Sequence, residues 1–216
     1  ILNSALRPYF QLLGFVGSAL FFYLIVGPVE ETVKLLAVRL YAYTDDRFDA
    51  VLDGAVYGAM AGLGFAVIEN ALYITRQIPN EGLDLGLGLI GVGGGITAVR
   101  ALAGPGHVIY SAFAGYYLGL AKYNPGNRGP IVVKGILLAA LVHGTYNTTV
   151  GIGTGVISLL TGLSGIAPYL IYVVIYDGIF GLFLLRKIQR YRDAYHQAHA
   201  PPADGSEFES EMTEFE

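Results

Sequence analysis

Two adjacent glutamates, Glu30 and Glu31, sit inside the apolar run LFFYLIVGPVEETVKLLAV. A charged side chain at bilayer depth costs about 2.5–3.5 kcal/mol on insertion scales, and two side by side repel each other as well. Such a pair persists only beside a compensating proton, cation, metal or lysine, so its partners can be sought elsewhere in the chain. Strongly polar residues within the apolar stretches are few: Glu30, Glu31 and Lys34; Glu69 and Asn70; Arg100 and His107; His143 and Asn147; and Asp177. Helical spacing organises them. Glu30 and Lys34 stand four residues apart, which lets the lysine neutralise one carboxylate. Phe65 with Glu69, His107 with Ser111, and His143 with Asn147 share helix faces by the same spacing.

Three carboxylates and two imidazoles suit two chemistries. Imidazole and carboxylate are zinc ligands, and a zinc ion with an open position lowers the pKa of its bound water to about 7. A remaining glutamate then serves as general base and hands the proton to a leaving amine. Without a metal, a buried glutamate oriented by histidine activates water directly. Asn147 is placed to stabilise an oxyanion in either case. There is no HExxH, which excludes an ordinary zincin. Taken singly the residues read more plainly: a lone histidine as a packing hydrogen bonder, Lys34 as a counter-ion, Asp177 and Arg100 as structural or a mutual pair. His196 and His199 read as solvated tail residues.

The elements that must hold these groups are helices in a membrane. The chain is 54% hydrophobic and 14% charged, against roughly 25% charged in soluble domains. Six apolar segments are expected, at about 9–27 (ending at Pro28), 29–43, 50–75, 99–121, 131–150 and 167–185. The fold class is therefore all-α, a polytopic transmembrane bundle of about six spans over residues 1–193. A disordered acidic cytosolic tail is expected over 194–216; residues 201–216 alone carry six acids and no base. The chain opens at Ile1 rather than methionine, so residues upstream of it are expected. Gly54, Gly58 and Gly62 form a small-residue stripe expected to serve helix packing. The glycine-rich stretch 83–98 leads into the fourth segment. No cysteine is present, so disulfides and thiolate metal sites are excluded.

Lys and Arg in short loops set orientation. Arg186, Lys187, Arg190 and Arg192 put the C-terminus in the cytoplasm; Lys122, Arg128 and Lys134 mark 122–134, Arg39 and Arg47 mark 44–49, and Arg7 marks the first residues. Arg76 and Arg100 vote the other way. Loops 76–98 and 151–166 are then outside, and Glu30, Glu31, Glu69, His107 and His143 are expected to converge in the outer half of the bilayer.

The series Glu30-Glu31-x-x-Lys34, Phe65-x-x-x-Glu69-Asn70, His107, and His143-Gly-Thr-Tyr-Asn147 resembles the PrsW family of intramembrane proteases, over about 28–150. It is also similar to the wider superfamily of CAAX prenyl proteases and ABI bacteriocin-immunity proteins. Those carry histidine where Glu69 stands here, which favours PrsW. The resemblance implies a membrane-embedded metallopeptidase, with Glu30 and Glu31 catalytic and with Glu69, His107 and His143 as zinc ligands or proton partners. It also implies site-1-type cleavage of an anti-sigma-like, membrane-anchored regulator. The expected function is an intramembrane endopeptidase of the cell membrane, acting on a single-span membrane protein in the lipid bilayer, with no nucleic-acid partner. The alternatives are a metal-independent glutamate protease of the same fold and a proton- or cation-coupled transporter. Against the latter, no internal repeat relates two halves of the chain.

Overall fold

The computed structural model describes residues 2–77 and 95–198. Among them every regular element is helical, as expected. The helices are α1 (Leu2–Gln11), α2 (Gly14–Phe21), α3 (Gly27–Tyr41), α4 (Val51–Gln77), α5 (Gly95–Lys122), α6 (Arg128–Thr161) and α7 (Ala167–Ala198), with a π-helical stretch, Phe22–Val26, between α2 and α3. The chain divides into two compact units, Ile1–Gly181 and Leu182–Glu216; the described part of the second is the distal portion of α7. Val51–Tyr73, Pro125–Thr161 and Ala167–Ala198 are long and apolar enough to cross a membrane. Large apolar side chains such as Val67, Ile68, Leu141 and Ile175 lie exposed on their outer faces, as lipid-facing surface requires.

Three expected boundaries move. The segments 9–27 and 29–43 do not part at Pro28. Residues 14–41 follow one helical path in which the Gly27 N–H bonds back to the Phe22 carbonyl, five residues earlier. Proline has no N–H and crowds the carbonyl four residues before it, and the wider π turn lies just where that strain falls. The uncharged loop expected at 151–166 is helix as far as Thr161, ended by Gly162 in the left-handed conformation (φ 70°). The fifth apolar segment was expected to end near 150, yet the helix runs on to Thr161. Both changes put Glu31 and His143 near the middle of their helices rather than near one end. At the other boundary α7 continues to Ala198, so residues 194–198 are helical. Residues 83–94 of the glycine-rich stretch and 199–216 of the tail lie outside the described residues, as does the side chain of Arg100.

The closest backbone approach joins α4 and α5. Gly54, Gly58 and Gly62 recur every four residues and so line one face. A Cβ at these positions would run into the carbonyl oxygens of Gly115, Ser111 and His107 respectively. The small-residue stripe thus fixes the depth and rotation of the helix that carries His107 and Ser111. At the far end, Lys122 Nζ donates to the carbonyls of Tyr43 (2.9 Å) and Phe48 (2.5 Å) and lies over the Phe48 ring. This ties the turn between α3 and α4 to the end of α5. Asp53 begins α4 by accepting from the N–H groups of Asp49 and Ala50. In the same exposed turn Arg47 forks onto Asp45 and holds its carboxyl well below the usual range.

A side chain at the α4–α5 contact should wedge the two helices apart. Gly58→Leu is expected to destabilise the fold by about 1–3 kcal/mol, the usual range for overpacking. Gly64→Ala, whose Cβ would meet nothing within 4 Å, is expected to be neutral or slightly stabilising. Thermal unfolding of the purified variants in detergent measures the difference; equal midpoints would contradict the contact.

Candidate active site

Four helices contribute to one buried polar cluster. α3 supplies Glu30, Glu31 and Lys34; α4 supplies Phe65 and Glu69; α5 supplies His107, Tyr110 and Ser111; α6 supplies His143, Tyr146 and Asn147. Glu31 is fully buried and Lys34 is 2% exposed. A charge taken out of water this completely requires a partner and further hydrogen bonds.

Glu31 has both. Its Oε1 accepts from Lys34 Nζ at 2.6 Å and from His143 Nδ1 at 2.9 Å, and its Oε2 accepts from Ser111 Oγ at 2.9 Å. Lys34 Nζ also donates to His107 Nδ1 at 2.8 Å and rests 4.4 Å from the centre of the Phe65 ring. An ammonium has only donors, so the Nδ1 of His107 is an acceptor and the ring proton sits on Nε2. That proton points to Glu69 Oε2, 3.1 Å away. A carboxylate only accepts, so His143 carries its proton on Nδ1 and leaves the Nε2 lone pair available. The lone pair faces Glu30, whose Oε2 is 3.9 Å distant. Tyr110 stacks on His143 (centroids 5.1 Å apart, 23° between planes), and His107 meets His143 edge to face at 5.0 Å.

The two glutamates are therefore unequal. Lysine was expected to pair with Glu30 at four residues' separation, leaving Glu31 to face the site. The structure reverses this: Lys34 pairs with Glu31 at three residues' separation, and Glu30 faces a cavity of about 340 Å³. Adjacent helical residues point about 100° apart, so only one of the two can meet the donors on α5 and α6 while its neighbour turns away. The cavity is also lined by Glu69, His107, His143, Asn147, Tyr110, Tyr146 and Arg7. All six residues singled out from the sequence as catalytic or metal-binding come together; five line the cavity and Glu31 lies behind them. Ser111 shares a face with His107 by spacing, but its bond to Glu31 could not be read from spacing alone. Tyr146 was quoted only as part of the His143–Asn147 motif and Arg7 only as an orientation marker, and Tyr110 carried no signal.

Among the described residues, Glu30, His107 and His143 offer ligand atoms all within 4.8 Å of one another. Imidazole and carboxylate are the donors zinc takes, and the set fits such an ion with one reservation of chemistry. His143 Nε2 and Glu30 face the cavity directly, whereas both ring nitrogens of His107 already hold protein partners, and one must be released before His107 can ligate.

Comparison with known proteins agrees with this geometry. A family model described as the PrsW family intramembrane metalloprotease matches residues 1–179, which takes in every residue of the cluster. The protease PrsW of Bacillus subtilis is 31% identical over 176 residues, covering 80% of this chain and 69% of the relative. That of Halalkalibacterium halodurans is 33% identical over 134 residues (62% and 55%), and that of Shouchella clausii 30% over 125 residues (58% and 52%). The chain spans about half the length of most of these curated relatives. No solved structure matches it. The family match across most of the chain, together with the Bacillus subtilis relative, establishes that the protein belongs to the PrsW family.

Proposed function

We propose that this chain is a multi-pass intramembrane endopeptidase that cuts a single-span membrane protein near its outer face. The observation that carries the proposal is that Glu30 and the His143 Nε2 lone pair, two acceptors 3.9 Å apart, face each other at a buried polar cavity and can both accept from one water molecule. Behind it, three donors hold Glu31 in place. A water molecule between Glu30 and His143 loses a proton to Glu30 as its oxygen bonds to the peptide carbonyl carbon. The carbonyl electron pair moves to oxygen, and the Asn147 amide donates to the resulting alkoxide. Collapse breaks the C–N bond, and the proton held on Glu30 passes to the leaving nitrogen.

Zinc, when bound, would polarise the carbonyl and acidify the water; His143 and His107 would hold it together with a carboxylate from Glu30 or Glu69. The metal-independent reading draws on one specific feature, that Lys34 and Glu69 already engage both nitrogens of His107. The transporter alternative is not carried forward for a member of a protease family. Orientation rests on the basic residues. If residues 14–41 and helices α4 to α7 cross in alternation, Arg39, Arg47, Lys122, Arg128, Lys134 and the Arg186–Arg192 cluster all fall on one side. That side is the cytoplasm, which holds the C-terminus. Arg7, expected there while 9–27 and 29–43 counted as two crossings, falls on the other side. The cavity's further lining residues (Phe21, Phe22 and Val26 before Glu30, Tyr73 after Glu69, Ala103 before His107, Asn147 after His143) then all lie toward the outer face. That placement and the family membership support site-1-type cleavage of a membrane-anchored regulator, anti-sigma-like in kind.

Glu30→Gln should lower kcat by about 10²-fold or more with the melting temperature unchanged, and His143→Ala should abolish cleavage of a single-span substrate in proteoliposomes. A Glu30→Gln variant that cuts at full rate would sink the assignment. Lys34→Met should act differently, lowering stability by about 3–5 kcal/mol because the Glu31 carboxylate is left buried and uncompensated; unfolding in detergent reads this directly. Chelation followed by metal analysis separates the two chemistries: loss of activity, restored by zinc, is expected if the ion takes part, and full activity in metal-free protein would leave the glutamate mechanism alone.

A further inference from the structure

Asp177 takes no part in the chemistry above. It lies on α7, is 8% exposed, and both its carboxylate oxygens are buried without a hydrogen-bond partner. Gly181, one turn on along the same face, has Ile109 of α5 at 3.6 Å from its Cβ position, so this face of α7 looks toward α5. Aromatic rings surround the region. Tyr146 packs against Tyr172 and Tyr176 at 6.0 and 5.4 Å between centroids, and Tyr176 against Phe180 at 4.8 Å. Asp177 interacts electrostatically with Tyr110, Tyr146, Tyr172 and Tyr176.

None of these tyrosines satisfies it. The Tyr146 hydroxyl is shared with Tyr169, that of Tyr172 with Thr149, and Tyr176 donates to the Val142 carbonyl. The Tyr110 hydroxyl, 1% exposed, is itself without a partner. Neutralising Asp177 does not resolve the matter, because a buried carboxylic acid has a proton that needs an acceptor. Among the described residues no donor reaches it, and a cationic one fits both the carboxylate and the ring faces around it. Tyr110 and Tyr146 also line the catalytic cavity, so the region of Asp177 adjoins that cavity through these two rings.

We infer that Asp177, with Tyr110 and the tyrosine cluster on α6 and α7, forms a subsite that receives a basic side chain, lysine or arginine, of the peptide bound for cleavage. The inference rests on the protease reading given above and adds to it a substrate preference.

The test uses single-span substrates in proteoliposomes, identical except for Lys, Arg, Gln or Glu at each position flanking the cut. At one position the full-length wild-type chain should prefer Lys or Arg over Gln by at least about tenfold in kcat/KM. In Asp177→Asn that ratio should fall close to one, and Asp177→Glu should retain part of it. A second readout needs no turnover: the Lys-bearing peptide should raise the melting temperature of the wild type in nanodiscs more than its Gln counterpart, and should not do so for Asp177→Asn. Absence of preference at every position, or a ratio unchanged in Asp177→Asn, overturns the subsite. So does equal loss of stability in Asp177→Asn and Arg100→Gln without any preference, which would make the carboxylate half of an internal ion pair. Charge-selective stabilisation with no cleavage of any substrate would keep the subsite and remove the protease reading. Should Asp177→Asn fail to fold, the wild-type comparison of Lys and Gln peptides still decides.

Discussion

The Lys34 ammonium, held between Glu31 and His107, is the interaction on which the rest of the cluster depends. It lies 2.6 Å from a fully buried carboxylate and 2.8 Å from an imidazole nitrogen. By donating to both it decides where the protons of the neighbouring rings must sit. His107 is compelled to present its N–H to Glu69. Glu31, saturated by lysine, serine and histidine, in turn compels His143 to carry its proton on Nδ1, the nitrogen that faces it. A single buried cation therefore sets the hydrogen-bond polarity of four side chains on four helices. It also answers the puzzle of two acids in one apolar run, since one is the counter-ion of the lysine and the other is left to face the cavity.

That arrangement tolerates little rotation. Charge-assisted bonds of this length fail with small displacements, so the helices need their own means of registration. Between α4 and α5 it is backbone against backbone, with glycines admitting the carbonyls of Gly115, Ser111 and His107. On α3 it is the π-helical stretch at Phe22–Val26. One additional residue in a turn rotates all that follows by about 100°, so the wide turn helps decide which face Glu30 and Glu31 present.

Much of this was legible in the amino-acid sequence, for identifiable reasons. Membrane helices are long and their polar residues rare, so Glu69, His107 and His143 stood out, and their helical spacing supplied the faces they share. What stayed hidden was tertiary. Whether Lys34 leans toward a residue three or four positions back depends on where Ser111 and His143 arrive from other helices. Proline at 28 read as a break because hydropathy carries no information on how a π turn accommodates it. The stretch 151–166 read as loop because it fell between two apolar segments of spanning length, and hydropathy does not say how far a helix continues beyond such a segment. Asp177 belonged to no motif, and only its burial among tyrosines made it conspicuous.

The distribution of the cluster over α3, α4, α5 and α6 has a consequence for the life of the chain. No single hairpin contains a complete set: α3 alone holds two acids and a lysine, and the first histidine arrives with α5. During synthesis the glutamates and lysine must enter the membrane long before Ser111, His107 and His143 exist to satisfy them. The early helices thus carry uncompensated charge, whose cost favours waiting at the water boundary until α6 follows. Assembly of the polar centre and full insertion of α3 become one event, and a partly made chain has neither the site nor a stable place in the bilayer.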